Sequence, residues 1–165
     1  DYYGAISDYT RAIEINPNDA DTYTNRGLSK KNLKDYYGAI ADYTKAIEIN
    51  PNYALAYNNR GVSKKELKDY YGAIADYTKA IEINPNYALA YNNRGASKDE
   101  LKDYYGAIAD YTKAIEINPN YALAYSNRGI SKENLGNLNG ACVDWKKAAA
   151  LGKKIAAEWV AKQCN

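Results

Sequence analysis

DYYGAIADYTKAIEINPNYALAYNNRGVSKKELK, residues 35–68, returns at residues 69–102 with two changes, Val62 to Ala96 and Lys65 to Asp99. Residues 1–34 and 103–136 are looser copies, and a fifth copy begins at Asn137, keeps the pattern for one helix and then diverges. A fixed period of 34 residues marks a stacked repeat architecture, in which each unit buries its apolar face against its neighbours.

Within one copy the pattern reads as two helices. Tyr36, Ala39, Ile40, Tyr43, Ala46 and Ile47 fall at three-and-four spacing, while Asp42, Lys45 and Glu48 take the other side. Asp1, Asp35, Asp69 and Asp103, with Asn137 in the last copy, stand where a side chain can cap the first turn. Asn-Pro-Asn ends this helix, because the residue before proline avoids the α region and proline cannot donate to a continuing helix. A second helix is expected at about 20–33, 54–67, 88–101 and 122–135. Gly27, Gly61, Gly95 and Gly129 lie inside it, at a cost of about 0.5–1 kcal/mol each relative to alanine. Close approach of a partner helix through the small Ala39, Ala73, Ala107 and Ala141 is the expected compensation. Most of the 19 tyrosines read as packing residues, with Tyr71 and its equivalents facing outward.

Composition removes whole classes of function. A net charge of +2 from 22 basic and 20 acidic residues, interspersed, provides no footprint for nucleic acid or an anionic membrane. With no histidine, the Ser-His-Asp and Cys-His arrangements and the usual zinc sets cannot be assembled within the chain. Neighbouring carboxylates such as Asp99 and Glu100 do not face each other on a helix. No enzyme activity, metal or cofactor is expected. No apolar run approaches the roughly 20 residues a membrane span needs. Cys142, at the place of Ile40, Ile74 and Ile108, and Cys164 read as free, largely buried thiols; a disulfide between them would imply an oxidising compartment.

The run Tyr57-x-x-Arg60-Gly61-x-x-Lys64, followed by Ala73-x-x-x-Tyr77, Ala80 and Pro85, resembles the tetratricopeptide repeat (TPR) over about residues 1–150. Arg60 departs from the large aliphatic residue usual in the family, and Lys64 from a frequent tyrosine. The resemblance implies an all-α fold, a right-handed α-solenoid superhelix of helix pairs closed by a C-terminal capping helix. One array over residues 1–165 is expected: the second helix of a truncated first repeat at 1–19, units at 20–53, 54–87, 88–121 and 122–152, and the cap at 153–165. The apolar face of residues 2–15 is then partly uncovered. A targeting signal could precede Asp1, and a cytoplasmic location is the default expectation.

Two constellations recur once per unit. Arg26, Arg60, Arg94 and Arg128 are each followed 16 residues later by Asp42, Asp76, Asp110 and Asp144, a spacing read as a structural ion pair between helices. Asp8 would lack its arginine. Asn25, Asn59, Asn93 and Asn127 precede those arginines, and by the TPR resemblance they form a ladder along the concave groove. Asn58, Asn92, Leu55, Val62, Leu89 and Lys65 are expected beside them, with Glu66, Ala96, Asp99 and Glu100. An amide both donates and accepts, so such a ladder can hold the backbone of an extended peptide.

The lysines and arginine by which some TPR domains clamp a terminal dicarboxylate are replaced here by Thr24, Asn58, Asn92 and Ser126, with Leu28, Val62 and Ile130 nearby. A peptide with aliphatic side chains suits that groove better. The expected function is a non-catalytic protein-protein interaction scaffold for a protein or peptide partner. The alternative is a self-associating or consensus-engineered array, a homo-oligomer stacked through its N-terminal helix.

Overall fold

A computed structural model describes residues 1–164. The described residues form helices α1 (Tyr2–Ile15), α2 (Ala20–Asn32), α3 (Tyr36–Ile49), α4 (Ala54–Glu66), α5 (Tyr70–Ile83), α6 (Ala88–Glu100), α7 (Tyr104–Ile117), α8 (Ala122–Asn134), α9 (Leu138–Ala150) and α10 (Lys154–Gln163). They contain no strand. None of these helices is long and apolar enough to cross a membrane. The chain divides into two compact units, residues 1–85 and 86–165. In the first, α1 to α5 pack in sequence and α2 also touches α4; in the second, α6 to α10 do the same and α6 touches α8.

Helix boundaries follow from side-chain and backbone chemistry at their ends. The Asp35, Asp69 and Asp103 carboxylates accept from the amides of Gly38, Gly72 and Gly106, and Asn137 does the same for Gly140. At the other end, Asn50 and Asn118 accept on their side chains from the amides of Asn52 and Asn120, which turns the chain across the proline. The link from α2 to α3 is tighter than the sequence suggests. Lys34 sits in the left-handed region at φ 63°, and the Asp35 amide donates back to the Lys30 carbonyl. Lys68, Lys102 and Gly136 repeat this turn.

The glycines inside the second class of helix make room for a ring rather than for the alanines expected above. A Cβ built on Gly27, Gly61 or Gly95 would lie 2.7–2.8 Å from Cε1 of Tyr43, Tyr77 or Tyr111, each of which is buried. On Gly129 it would lie 2.3 Å from the indole nitrogen of Trp145. The reason is size: a flat ring on the partner helix fills the notch more completely than a methyl group would. Ala39, Ala73, Ala107 and Ala141 are also fully buried, beside that contact. Tyr3, Tyr37, Tyr71 and Tyr105 face outward.

The C-terminal cap corrects the reading of the cysteines. Cys142 and Cys164 are joined as a disulfide, with Cα atoms 5.5 Å apart. Position 142 lies at the start of the second turn of α9, and α10 folds back along α9 so that its C-terminal end arrives there. Neither cysteine is fully buried. Beneath the bridge, Trp145 packs on Trp159 at 5.3 Å between ring centroids, and Ala141, Ala148 and Ala156 complete the cluster.

Candidate functional site

Each repeat contributes one ion cluster and one stretch of candidate groove. Asp42 Oδ2 accepts from Arg26 Nε at 3.0 Å and Oδ1 from Nη2 at 2.7 Å, a bidentate pair. Lys30 Nζ lies 2.7 Å from the same carboxylate, and the Arg26 guanidinium stands over the Tyr23 ring at 5.6 Å. Its Nη1 donates to the Thr10 hydroxyl at 3.1 Å. Arg60, Asp76 and Lys64 repeat the arrangement, as do Arg94, Asp110 and Lys98, and Arg128, Asp144 and Lys132. Two hydrogen bonds to the aspartate and the face of a tyrosine ring fix each guanidinium, so these cations are held inside the helix packing and do not project as a row toward a ligand. The lysine is the member that sequence reading missed; its signal was the four-residue spacing Arg26–Lys30, one helical turn.

On the other face the candidate groove residues separate by burial. Asn58 and Asn92 are 2% and 3% exposed, so their expected place on an open groove is corrected: like Thr24 and Ser126 they lie within the helix packing. The asparagines before the arginines are less enclosed, Asn25 exposed and Asn59, Asn93 and Asn127 half-buried. In the second unit the Asn127 side chain donates to Asn92 Oδ1 at 3.2 Å, from α8 to α6. In the first, Asn59 Oδ1 accepts from Asn58 Nδ2 at 3.4 Å. The buried asparagine thus orients the outer one.

Leu28, Leu55, Leu89 and Leu123 are all more than a third exposed, with Val62 half-buried near Asn59 in sequence and Lys65 half-buried one turn further along. Ile130, expected beside the groove, packs against the C-terminal core instead.

Asp99 departs most from its copies. Its carboxylate accepts from the Tyr111 hydroxyl at 2.7 Å and from the Ser131 hydroxyl at 2.7 and 2.9 Å. It is therefore turned onto α7 and α8 rather than toward a ligand. Burial raises its pKa above the ordinary carboxylate value, the two hydroxyls oppose that, and Glu100 and Asp103 add to it. Tyr43, the equivalent of Tyr111 in a copy with lysine at this place, keeps a buried hydroxyl with no hydrogen-bond partner among the described residues.

Comparison with known proteins agrees with the fold. The tetratricopeptide repeat model matches residues 20–53, 54–87 and 88–121, a second model of that repeat matches 110–142, and a TPR repeat model matches 1–34. A search of curated proteins returned no match. Among solved structures, a crystal structure of MamA is 29% identical, covers 95% of this chain and 92% of its own, and superposes with a TM-score of 0.86. The first TPR of Spaghetti (RPAP3), bound to the HSP90 peptide SRMEEVD, is 27% identical over 71% of this chain and 93% of its own, TM-score 0.70. The Arabidopsis OM64 TPR domain is 28% identical over 70% and 95%, TM-score 0.68.

Proposed function

The chain belongs to the tetratricopeptide repeat family, and from that premise we propose that it is a non-catalytic scaffold that binds an extended peptide or partner segment. The observation that carries this reading is the face shared by neighbouring first helices within each unit. It presents partly exposed amides, Asn25 and Asn59 or Asn93 and Asn127, next to exposed leucines. An amide oriented by a second, buried amide holds its remaining hydrogen-bonding capacity toward the ligand backbone, and the leucines offer apolar contact for side chains. The Spaghetti structure, with its bound acidic peptide, supports peptide binding as a use of this fold. The acidic character does not carry over: Thr24, Asn58, Asn92 and Ser126 are neutral and buried, so an aliphatic peptide is the better fit.

Selection from a displayed random-peptide library, followed by calorimetry on the selected peptide, tests this. Asn25→Ala with Asn59→Ala should weaken the peptide by about 1–3 kcal/mol at unchanged helicity, from about 0.5–1.5 kcal/mol per hydrogen bond. Unchanged affinity rules out the ladder. The competing reading, self-association through α1, requires a mass that rises with concentration. The Cys142–Cys164 bond supports an oxidising compartment over the cytoplasmic default.

A further inference from the structure

Helix α9 keeps the packing residues of the repeat and changes those around its disulfide. Gly140, Ala141, Asp144 and Ala148 stand where α7 has Gly106, Ala107, Asp110 and Ala114. From Leu138 to Ala148 six positions differ from α7, and one of them, Trp145 for Tyr111, lies in the core. The other five are Leu138, Asn139, Cys142, Val143 and Lys146, and all five line one cavity of about 300 Å³. The rest of the lining comes from α10, Cys164 included. That volume is at the lower end of the range for small-molecule sites. The cavity is open to solvent, with Val143 68% exposed and Leu138 41%. A bond that merely fastens α10 to α9 needs neither an open cavity nor a lysine beside it.

We propose that the Cys142–Cys164 bond is a thiol–disulfide exchange site, and that the cavity beside it admits a small thiol bearing a carboxylate. Both cysteines line the cavity and neither is fully buried, so a thiol of that size meets the bond in the folded chain. Leu138 and Val143 suit its methylene groups. Lys146 follows Cys142 by one helical turn, is exposed, and has no ion pair among the described residues. Its ammonium attracts the carboxylate and stabilises a thiolate on Cys142, which makes Cys142 the better leaving group. The incoming thiolate therefore bonds to Cys164 Sγ, and the disulfide breaks with its electron pair on Cys142 Sγ. Return attack by Cys142 on Cys164 expels the small thiol. Attack by a second thiol on the captured one instead releases their mutual disulfide and leaves both cysteines reduced, so two thiols are oxidised for each protein disulfide lost. The site is separate from the asparagine face and does not depend on that reading.

The test follows opening of the disulfide in the oxidised chain by 3-mercaptopropionate, which is anionic, and by 2-mercaptoethanol, which is neutral. Samples are quenched by alkylation and mapped by peptide mass. The expected early product carries the thiol on Cys164 and the alkyl group on Cys142. Lys146→Glu should slow the anionic thiol about tenfold more than the neutral one, the effect of reversing one nearby charge at low salt. Dividing by the neutral thiol removes any general change in how readily the bond opens. In the parent chain the same ratio should fall as salt is added. Lys146 is exposed, so the substitution leaves the fold intact, which circular dichroism verifies. A ratio indifferent to Lys146→Glu overturns the proposal. An adduct on Cys142 overturns it too, as does a bond that neither thiol opens until the chain is unfolded.

Discussion

Arg60 and Asp76 meet through two parallel bonds, Nε to Oδ2 at 2.9 Å and Nη2 to Oδ1 at 2.7 Å, and Lys64 Nζ stands 2.8 Å from that same carboxylate. Two cations on one buried carboxylate make the aspartate the member whose loss is felt most. Removing it leaves both positive charges on a largely enclosed face with no counterion.

Asp76→Ala should therefore destabilise the chain by about 3–5 kcal/mol, the range for breaking an enclosed pair from one side. Asp8→Ala, at an exposed place without an ion pair, should change stability by less than about 0.5 kcal/mol. Urea unfolding followed by circular dichroism compares the two; equal losses would contradict the pairing as the source of stability.

Gly61→Ala sets helix propensity against packing. Alanine favours the helix by about 0.5–1 kcal/mol, but its Cβ would stand 2.7 Å from the buried Tyr77 ring, an overpacking that costs about 1–3 kcal/mol. A net loss is expected. A stabilised variant would show that the ring moves aside freely.

The pH dependence of Asp99 has a definite sign. Burial raises its folded pKa, so the protonated carboxyl is the form the fold favours. That contribution is complete below the unfolded value of about 3.9 and is lost as pH rises through the folded value. Asp99→Asn keeps an acceptor for Tyr111 and Ser131 without the charge. It should melt higher than the parent at pH 7, with the gap closing in acid; a gap independent of pH would contradict a buried carboxylate.

Reduction should release the C-terminal cap. The bridge spans 22 residues, and closing a loop of that length restricts the unfolded chain by about 3 kcal/mol. A lower melting temperature in dithiothreitol, together with two titratable thiols, is the expected result. Cys142→Ser with Cys164→Ser should match it.

Lys34, Lys68 and Lys102 occupy left-handed backbone that glycine adopts without strain, as Gly136 does at the end of the fourth copy. Lys68→Gly should stabilise the chain by about 1 kcal/mol. Denaturant midpoints of the single and triple substitutions measure the effect and its additivity.

The repeat period, the capped starts of the helices and their Asn-Pro-Asn ends were legible in the residues because each depends on chemistry within a few positions. The turn at Lys34 was not, since lysine carries no conformational signature; only Gly136 in the fourth copy marked that place. The ion clusters were half legible. The 16-residue spacing of Arg26 and Asp42 named two members, and the lysine that completes each cluster emerged with the helix crossing.

For the candidate site the division is sharper. The chain alone determined that repeated helix pairs form, and that no histidine is present for the familiar catalytic sets. It could not separate Asn58 from Asn59, adjacent residues of the same type, because which of them is enclosed depends on the direction each side chain leaves the helix and on the helix placed beside it. Tertiary packing decided that, as it turned Asp99 onto Tyr111 and Ser131 and brought Cys142 to Cys164. Local structure follows from short-range sterics and hydrogen bonding. Burial and pairing are properties of surfaces that do not exist until the helices meet.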